Sequence, residues 1–305
     1  MTGVLIGFGI IAFVIAVGYV MARFGIGGPS AGFVLNRVAF FVASPALLFT
    51  VLVKADLRDV FSTNLLVAGV ASVVAGLTFI VVSRLFFPRS IAETTIGALG
   101  AGYANANNIG LPVAVYVLGS AALVAPLLLI QLIVFAPVAL AILEIASHGR
   151  SSARAMLLQP VRNPIILASL IAVVIDFAGW RVPEIVLQPL ELLGGAAVPM
   201  VLLAFGISLR GARPLRAAHE RAPIIAASVG KVVVMPVVAF LLGLLLGMHG
   251  HALFSVVALA ALPTAQNVFN YASRYQQGTA LARDTVLITS IAAVPALLVI
   301  AWLFA

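Results

Sequence analysis

Ten apolar runs divide the sequence, near residues 3–22, 32–53, 63–86, 91–118, 121–146, 163–179, 183–208, 222–247, 252–273 and 281–304. A helix rises 1.5 Å per residue, so roughly 20 apolar residues cross the ~30 Å of hydrocarbon in a bilayer. The runs match that length and are separated by charged or Gly/Pro-rich breaks. Only 9% of the residues are charged, 63% are hydrophobic and the mean hydropathy is +1.23. Soluble domains carry roughly 25% charged residues, so this chain has too little polar surface to cover a water-soluble globule. The expectation is an all-α integral membrane protein of ten transmembrane helices. The first run lacks a basic leader and a small-residue cleavage site, so it is expected to be kept as a span.

The net charge of +8 and the isoelectric point near 10.8 would point to nucleic acid in a soluble protein. Here the basic residues sit in short connections, the pattern of topology signals, and no nucleic-acid partner is expected. Ten spans make the connections alternate between two sides. Thirteen of the seventeen Lys and Arg fall in one set, against Lys54, Arg58 and Arg181 in the other, with Lys231 inside the eighth run. Lys and Arg accumulate on the cytoplasmic side, which puts both termini outside. There is no cysteine, and His148, His219, His249 and His251 lie in connections or at span ends, so neither disulfides nor a metal site is expected. No Walker phosphate loop and no H-E-x-x-H motif is present. An enzyme, direct ATP coupling and a bound cofactor are therefore not expected.

Proline placement divides the ten runs into two fives. Pro45 lies mid-span in the second run and Pro199 mid-span in the seventh, as hinge or kink positions. Pro112 lies in the fourth and Pro263 in the ninth, at similar distances from those first prolines. An odd number of spans per half turns one half upside down. The expected plan is a first repeat over 1–146, a short basic cytoplasmic connection over 147–162 and an inverted second repeat over 163–305. Inverted repeats recur in secondary transporters.

The fourth and ninth runs are poor continuous helices. One reads Gly100-Ala101-Gly102-Tyr103-Ala104-Asn105-Ala106-Asn107-Asn108-Ile109-Gly110-Leu111-Pro112, the other Leu262-Pro263-Thr264-Ala265-Gln266-Asn267-Val268-Phe269-Asn270-Tyr271. Gly and Asn have low helix propensity, and proline removes a donor and clashes with the preceding turn. Unwound backbone at membrane depth is tolerated where it is buried in protein or lines a wet cavity. Matched interruptions in two halves are the best sequence pointer to a transporter's binding site. The candidate substrate residues are therefore Asn105, Asn107, Asn108, Gly110, Pro112, Pro263, Thr264, Gln266, Asn267 and Asn270, with Gln131 facing them from mid-span in the fifth run. Gln266, Asn267 and Asn270 are spaced to share one helix face. Half-helix N-termini suit an anion, and carboxamides orient a carboxylate without adding charge. Lys231 and Asp176 are candidates for a counter-ion or coupling role, because ionisable groups inside spans are functional by default. Glu144 reads as interfacial, and Glu191 is left unassigned.

The segments Leu35-Asn36-Arg37 through Pro45-Ala46-Leu47-Leu48-Phe49, Asn105 through Gly110-Leu111-Pro112, and Pro263-Thr264-Ala265-Gln266-Asn267 through Arg274-Tyr275 resemble the auxin efflux carrier family, in particular its short bacterial members. The similarity covers essentially the whole chain. It implies a 5+5 inverted repeat with crossing, interrupted helices 4 and 9, and scaffold and transport parts that each mix helices from both repeats. It also implies movement of small organic anions by an elevator-like motion across the bacterial cytoplasmic membrane, with periplasmic termini and a possible homodimer. The family asparagine of the first crossover matches Asn105, its glycine and proline match Gly110 and Pro112, and the second crossover proline matches Pro263. Plant members have a proline where this chain has Ala104, and many have a long central loop that is missing here, so auxin itself is not the implied substrate. A sodium- or proton-coupled symporter of the bile-acid-transporter type is the alternative, with Asn105, Thr264 and Gln266 as oxygen donors, and a channel is a third reading. A coupling ion, H+ or Na+, is left open.

Overall fold

The computed structural model describes residues 2–54, 57–148, 164–210, 215 and 220–304. They form helices α1 (Thr2–Phe24), α2 (Ala31–Lys54), α3 (Leu57–Phe86), α4 (Ile91–Gly102), α5 (Leu111–Tyr116), α6 (Ala121–Ser147), α7 (Pro164–Phe177), α8 (Glu184–Ser208), α9 (Arg221–Leu245), α10 (Gly250–Ala260), α11 (Gln266–Tyr275) and α12 (Thr279–Leu303). Among the described residues, six helices are long and apolar enough to cross a membrane: α2, the Thr63–Phe86 part of α3, α6, α8, α9 and α12. Gly9–Phe24, α7 and α10 are apolar but shorter. The ten sequence runs thus give fewer uninterrupted crossings than their lengths suggest. The fourth run is split into α4 and α5, the ninth into α10 and α11, and the described part of the sixth starts only at Pro164. The cause is local: each split falls on the Gly, Asn and Pro residues that disfavour a helix.

Several helices carry a π-helical turn at a regular distance from a proline. Four five-residue π-helical turns, Ala39–Ala43, Ala106–Gly110, Gln131–Phe135 and Gly230–Val234, each end two residues before a proline: Pro45, Pro112, Pro137 and Pro236. A proline ring clashes with the carbonyl four residues earlier, which in all four cases lies inside the π-turn. Widening that turn moves the carbonyl aside and lets the helix continue. Pro199 works differently: α8 is broken at Ala196, and Pro199 falls in the first turn of the Ala197–Ser208 portion. Pro189 and Pro295 sit inside helices without such a turn.

The chain divides into two compact units, each drawn from both halves of the sequence. Unit 1 comprises residues 1–62, 107–129 and 158–212; unit 2 comprises 63–106, 130–157 and 213–305. Unit 1 is centred on α1 packed against α8 and on α2 packed against α7 and α8. Small residues permit backbone contact there, the usual device for helices that gain no hydrophobic drive from lipid. A Cβ on Gly206 would lie 2.1 Å from the Ile15 carbonyl oxygen, and one on Gly18 would lie 2.3 Å from that of Leu203. The Arg210 guanidinium closes the same pair of helices by donating to the Ala22 carbonyl. Gly206→Val should therefore force α1 and α8 apart and cost about 3 kcal/mol, the upper end for overpacking. In detergent its melting temperature should fall clearly below that of Gly195→Ala, where no neighbour lies within 4 Å of the added methyl. Equal melting temperatures would contradict the close packing.

In unit 2 one core cluster joins Ala92, Ile96 and Tyr103 to Leu140 and Leu143 of α6 and to Val268, Ala272 and Tyr275 of α11. A second joins Phe79 of α3 and Ala101 of α4 to Ile224 and Ala227 of α9 and Leu281 of α12. Charged groups at one end of the unit find partners. Arg89 Nη1 lies 3.2 Å from Glu220 Oε1 and 3.7 Å from Glu93, and Asp284 accepts from the Leu215 N–H (2.8 Å) and from Arg283 (2.7 Å).

Candidate functional site

Within unit 2 the two interrupted segments meet backbone to backbone. α4 ends at Gly102, Tyr103 is extended (φ −99°, ψ 103°), and Ala104 pairs with Thr264 as an isolated antiparallel bridge. Asn105 N–H donates to the Pro263 carbonyl at 2.7 Å, and Ala265 N–H donates to that of Tyr103 at 3.0 Å. Unwound backbone needs partners wherever water is excluded, and here each break supplies them to the other. Pro263 loses nothing by lacking an N–H, since the bridge uses only its carbonyl.

Thr264 is the fastening of this junction. It is fully buried, and its hydroxyl donates to the Gly100 carbonyl at 2.6 Å, satisfying one of the carbonyls orphaned at the end of α4. Its N–H donates to Thr289 Oγ1 at 3.0 Å, and that hydroxyl in turn donates to the Thr285 carbonyl at 2.7 Å. Thr285 and Thr289 of α12 were not candidates from the sequence. The signal available was two hydroxyl residues one helical turn apart inside an apolar run, which reads equally well as ordinary helix back-bonding.

Asn105 follows directly from the bridge and is 5% exposed. Beyond the break α11 starts at Gln266, with Ala265 as an N-cap that contributes no side-chain hydrogen bond. Gln266 and Asn270 are exposed, whereas Asn267 is half-buried and lies beside the Tyr103 hydroxyl with Tyr271. The three amides therefore do not share one environment, although their spacing allows one face. Val268 and Ala272, fully buried, set the rotation of α11 by packing into the core of the unit. Gln131 is 1% exposed and opens its π-turn, with its backbone carbonyl 3.4 Å from the Tyr103 hydroxyl.

The remaining crossover candidates belong to unit 1. Asn107 and Asn108 lie in the π-turn ahead of Pro112, and Asn107 Nδ2 donates to Asn108 Oδ1 at 2.8 Å. Among the described residues, the buried Asn107 Oδ1 finds no hydrogen-bond partner. Gly110 and Pro112 form the entry to α5 and are buried. Asp176 is half-buried in the last turn of α7, also in unit 1. Glu191, unassigned from sequence, pairs with Lys54. The pair lines an open cavity of about 450 Å³ together with Leu47, Thr50, Val51, Ser120 and Gly195. Nothing short of the fold could have found it, because its members lie 137 residues apart.

Lys231 is fully buried in unit 2, in the π-turn of α9. Its ammonium donates to the Ala260 carbonyl at 2.8 Å and lies 2.8 Å from Met235 Sδ. Among the described residues no carboxylate lies within ion-pair distance of it.

Known proteins give the same picture as the motifs. A protein of Rhizobium meliloti named "Putative malonate transporter" is 28% identical over 85% of this chain and 83% of its own length. The uncharacterized transporter YfdV of Escherichia coli is 25% identical over 83% of each chain. An uncharacterized transporter of Methanocaldococcus jannaschii is 21% identical over 92% of each. These names are those of transporters, not enzymes. The family model described as membrane transport protein matches residues 8–156 and 147–301. The resemblance to auxin efflux carriers read from the motifs is thereby borne out, and the chain belongs to the membrane transport protein family.

Proposed function

We propose that this chain is a secondary transporter of small organic anions, carboxylates first, which bind at the junction of the two interrupted segments. The observation that carries this reading is the backbone bridge between Tyr103–Asn105 and Pro263–Ala265, which presents Asn105 beside the uncapped start of α11. The first N–H groups of a helix and its positive end favour an anion. Asn105, Gln266 and Asn267 would orient a carboxylate through amide donors. In this reading the ten runs form two inverted fives in the cytoplasmic membrane with periplasmic termini. Unit 2 is the transport part of an elevator-type carrier. The mixing of both sequence halves in each unit supports that division.

The test is an uptake and thermal-shift screen of mono- and dicarboxylates on purified, reconstituted protein. Malonate and its neighbours come first because of the name of the Rhizobium relative. Saturable uptake of a carboxylate supports a carrier, while unsaturating conductance would mean a channel. Gln266→Ala, whose side chain is exposed, should raise the apparent KM roughly tenfold or more, the worth of one hydrogen bond to a charged group, with no change in melting temperature. An unchanged KM would remove Gln266 from the site.

A further inference from the structure

Lys231 is the most deeply buried charge in the described structure, and its setting assigns it a task separate from substrate contact. Breaking a helix exposes carbonyls at the C-terminal end of the first half, where the dipole is negative. Unit 2 contains two such ends, at α4 and at α10. In broken-helix carriers these ends, with unwound carbonyls, are where a coupling Na+ or H+ is held. Here the chain itself supplies a side-chain donor to one carbonyl at each end. Thr264 Oγ1 donates to the Gly100 carbonyl at the α4 end, and Lys231 Nζ donates to the Ala260 carbonyl at the α10 end.

A lysine buried without a carboxylate keeps its charge only against a large desolvation cost, which a negative potential at Nζ offsets. The Ala260 carbonyl at the α10 terminus supplies it, and the weakly accepting Met235 sulfur completes the cradle. The residue's placement is built in as well. The π-turn that carries Lys231 packs its Gly230 against Ala101, where a Cβ would come within 2.8 Å of the Ala101 Cβ, so the turn is held close against α4.

We propose that Lys231 is a tethered cation, permanently occupying at the α10 end the place of a free monovalent ion, and that removing its side chain uncovers a site for such an ion. This rests on the carrier reading only for its transport readout; the binding readout stands without it. Wild-type protein should melt and transport identically in sodium chloride and choline chloride. Lys231→Ala should transport about tenfold less than wild type in choline, and sodium or ethylammonium should restore several-fold of the loss and raise its melting temperature through linkage. Lys231→Met, which fills the space without charge, should be equally impaired and show no response to either cation. Wild-type protein that needs sodium for uptake, or is stabilised by it over choline, would overturn the proposal even if no variant folds. So would Lys231→Met with wild-type uptake, or Lys231→Ala with no cation response in either assay. If no carboxylate is transported by the wild type, the carrier reading fails while the melting assay still decides the cation site.

Discussion

Asn105→Ala protein should reach the membrane in wild-type amount, melt within a few degrees of wild type and take up no substrate above background. The backbone at this position is fixed by hydrogen bonds that alanine keeps, from its own N–H to the Pro263 carbonyl and from Ala265 N–H to the Tyr103 carbonyl. The substitution therefore removes a carboxamide from the junction without undoing the junction. A hydrogen bond to a charged group contributes about 1.5–3 kcal/mol, roughly 10- to 150-fold in affinity. The upper end is expected here, because Asn105 is buried and water cannot substitute for it. Asn105→Gln, with the same group one methylene further out, should recover only part of the uptake, since geometry at a rigid break is not adjustable. Full uptake by the alanine variant, at equal expression, would dismiss the junction as the substrate site.

Gly102→Val should strongly disrupt unit 2. A Cβ at Gly102 would stand 2.4 Å from the Ser72 carbonyl oxygen, a backbone atom that cannot swing away, so α3 and α4 must separate. The residue also precedes Tyr103, and any shift is passed directly to the bridge. Overpacking of this kind costs about 1–3 kcal/mol, roughly 5–10 °C in melting temperature, and uptake should be lost with it. Two residues earlier, Gly100→Ala meets only ordinary contacts at 3.4 Å from Ala227 and Thr285, and should be nearly silent in melting temperature. If both variants melt alike, the contact between α3 and α4 is not as close as described.

The contrast between those two glycines marks how far the sequence could be read. Breaks in the fourth and ninth runs were legible because Gly, Asn and Pro act locally, through their own backbone preferences. Pro45 and Pro199 also stand out in the sequence, but not what surrounds them: one follows a π-turn and the other a break at Ala196. The like-built turns ahead of Pro137 and Pro236 follow one spacing rule, yet the sequence reading passed over both. What each buried polar group bonds to was not legible at all. Lys231 could be picked out as a buried charge, but its partner is a backbone carbonyl 29 residues away, and carbonyls carry no sequence signature. The same holds for Lys54 with Glu191 and for Thr264 with Gly100, pairs set by tertiary packing.

The junction of the two breaks also bears on how the molecule comes into being. Thr264 and the Gly100 carbonyl it satisfies are 164 residues apart, and the strand-like pairing beside them spans a similar interval. During synthesis the first break is made long before its counterpart exists. Until then the Asn105 N–H and the Tyr103 and Gly100 carbonyls have no internal partner, and hydrocarbon penalises each by several kcal/mol. A nascent chain stopped anywhere short of residue 264 is therefore unable to seat its fourth segment, however apolar its other helices are. Biogenesis must shelter that segment, in the insertion machinery or in the headgroup region, until the ninth run arrives. Separately expressed halves should accordingly be unstable alone and become durable only when made together.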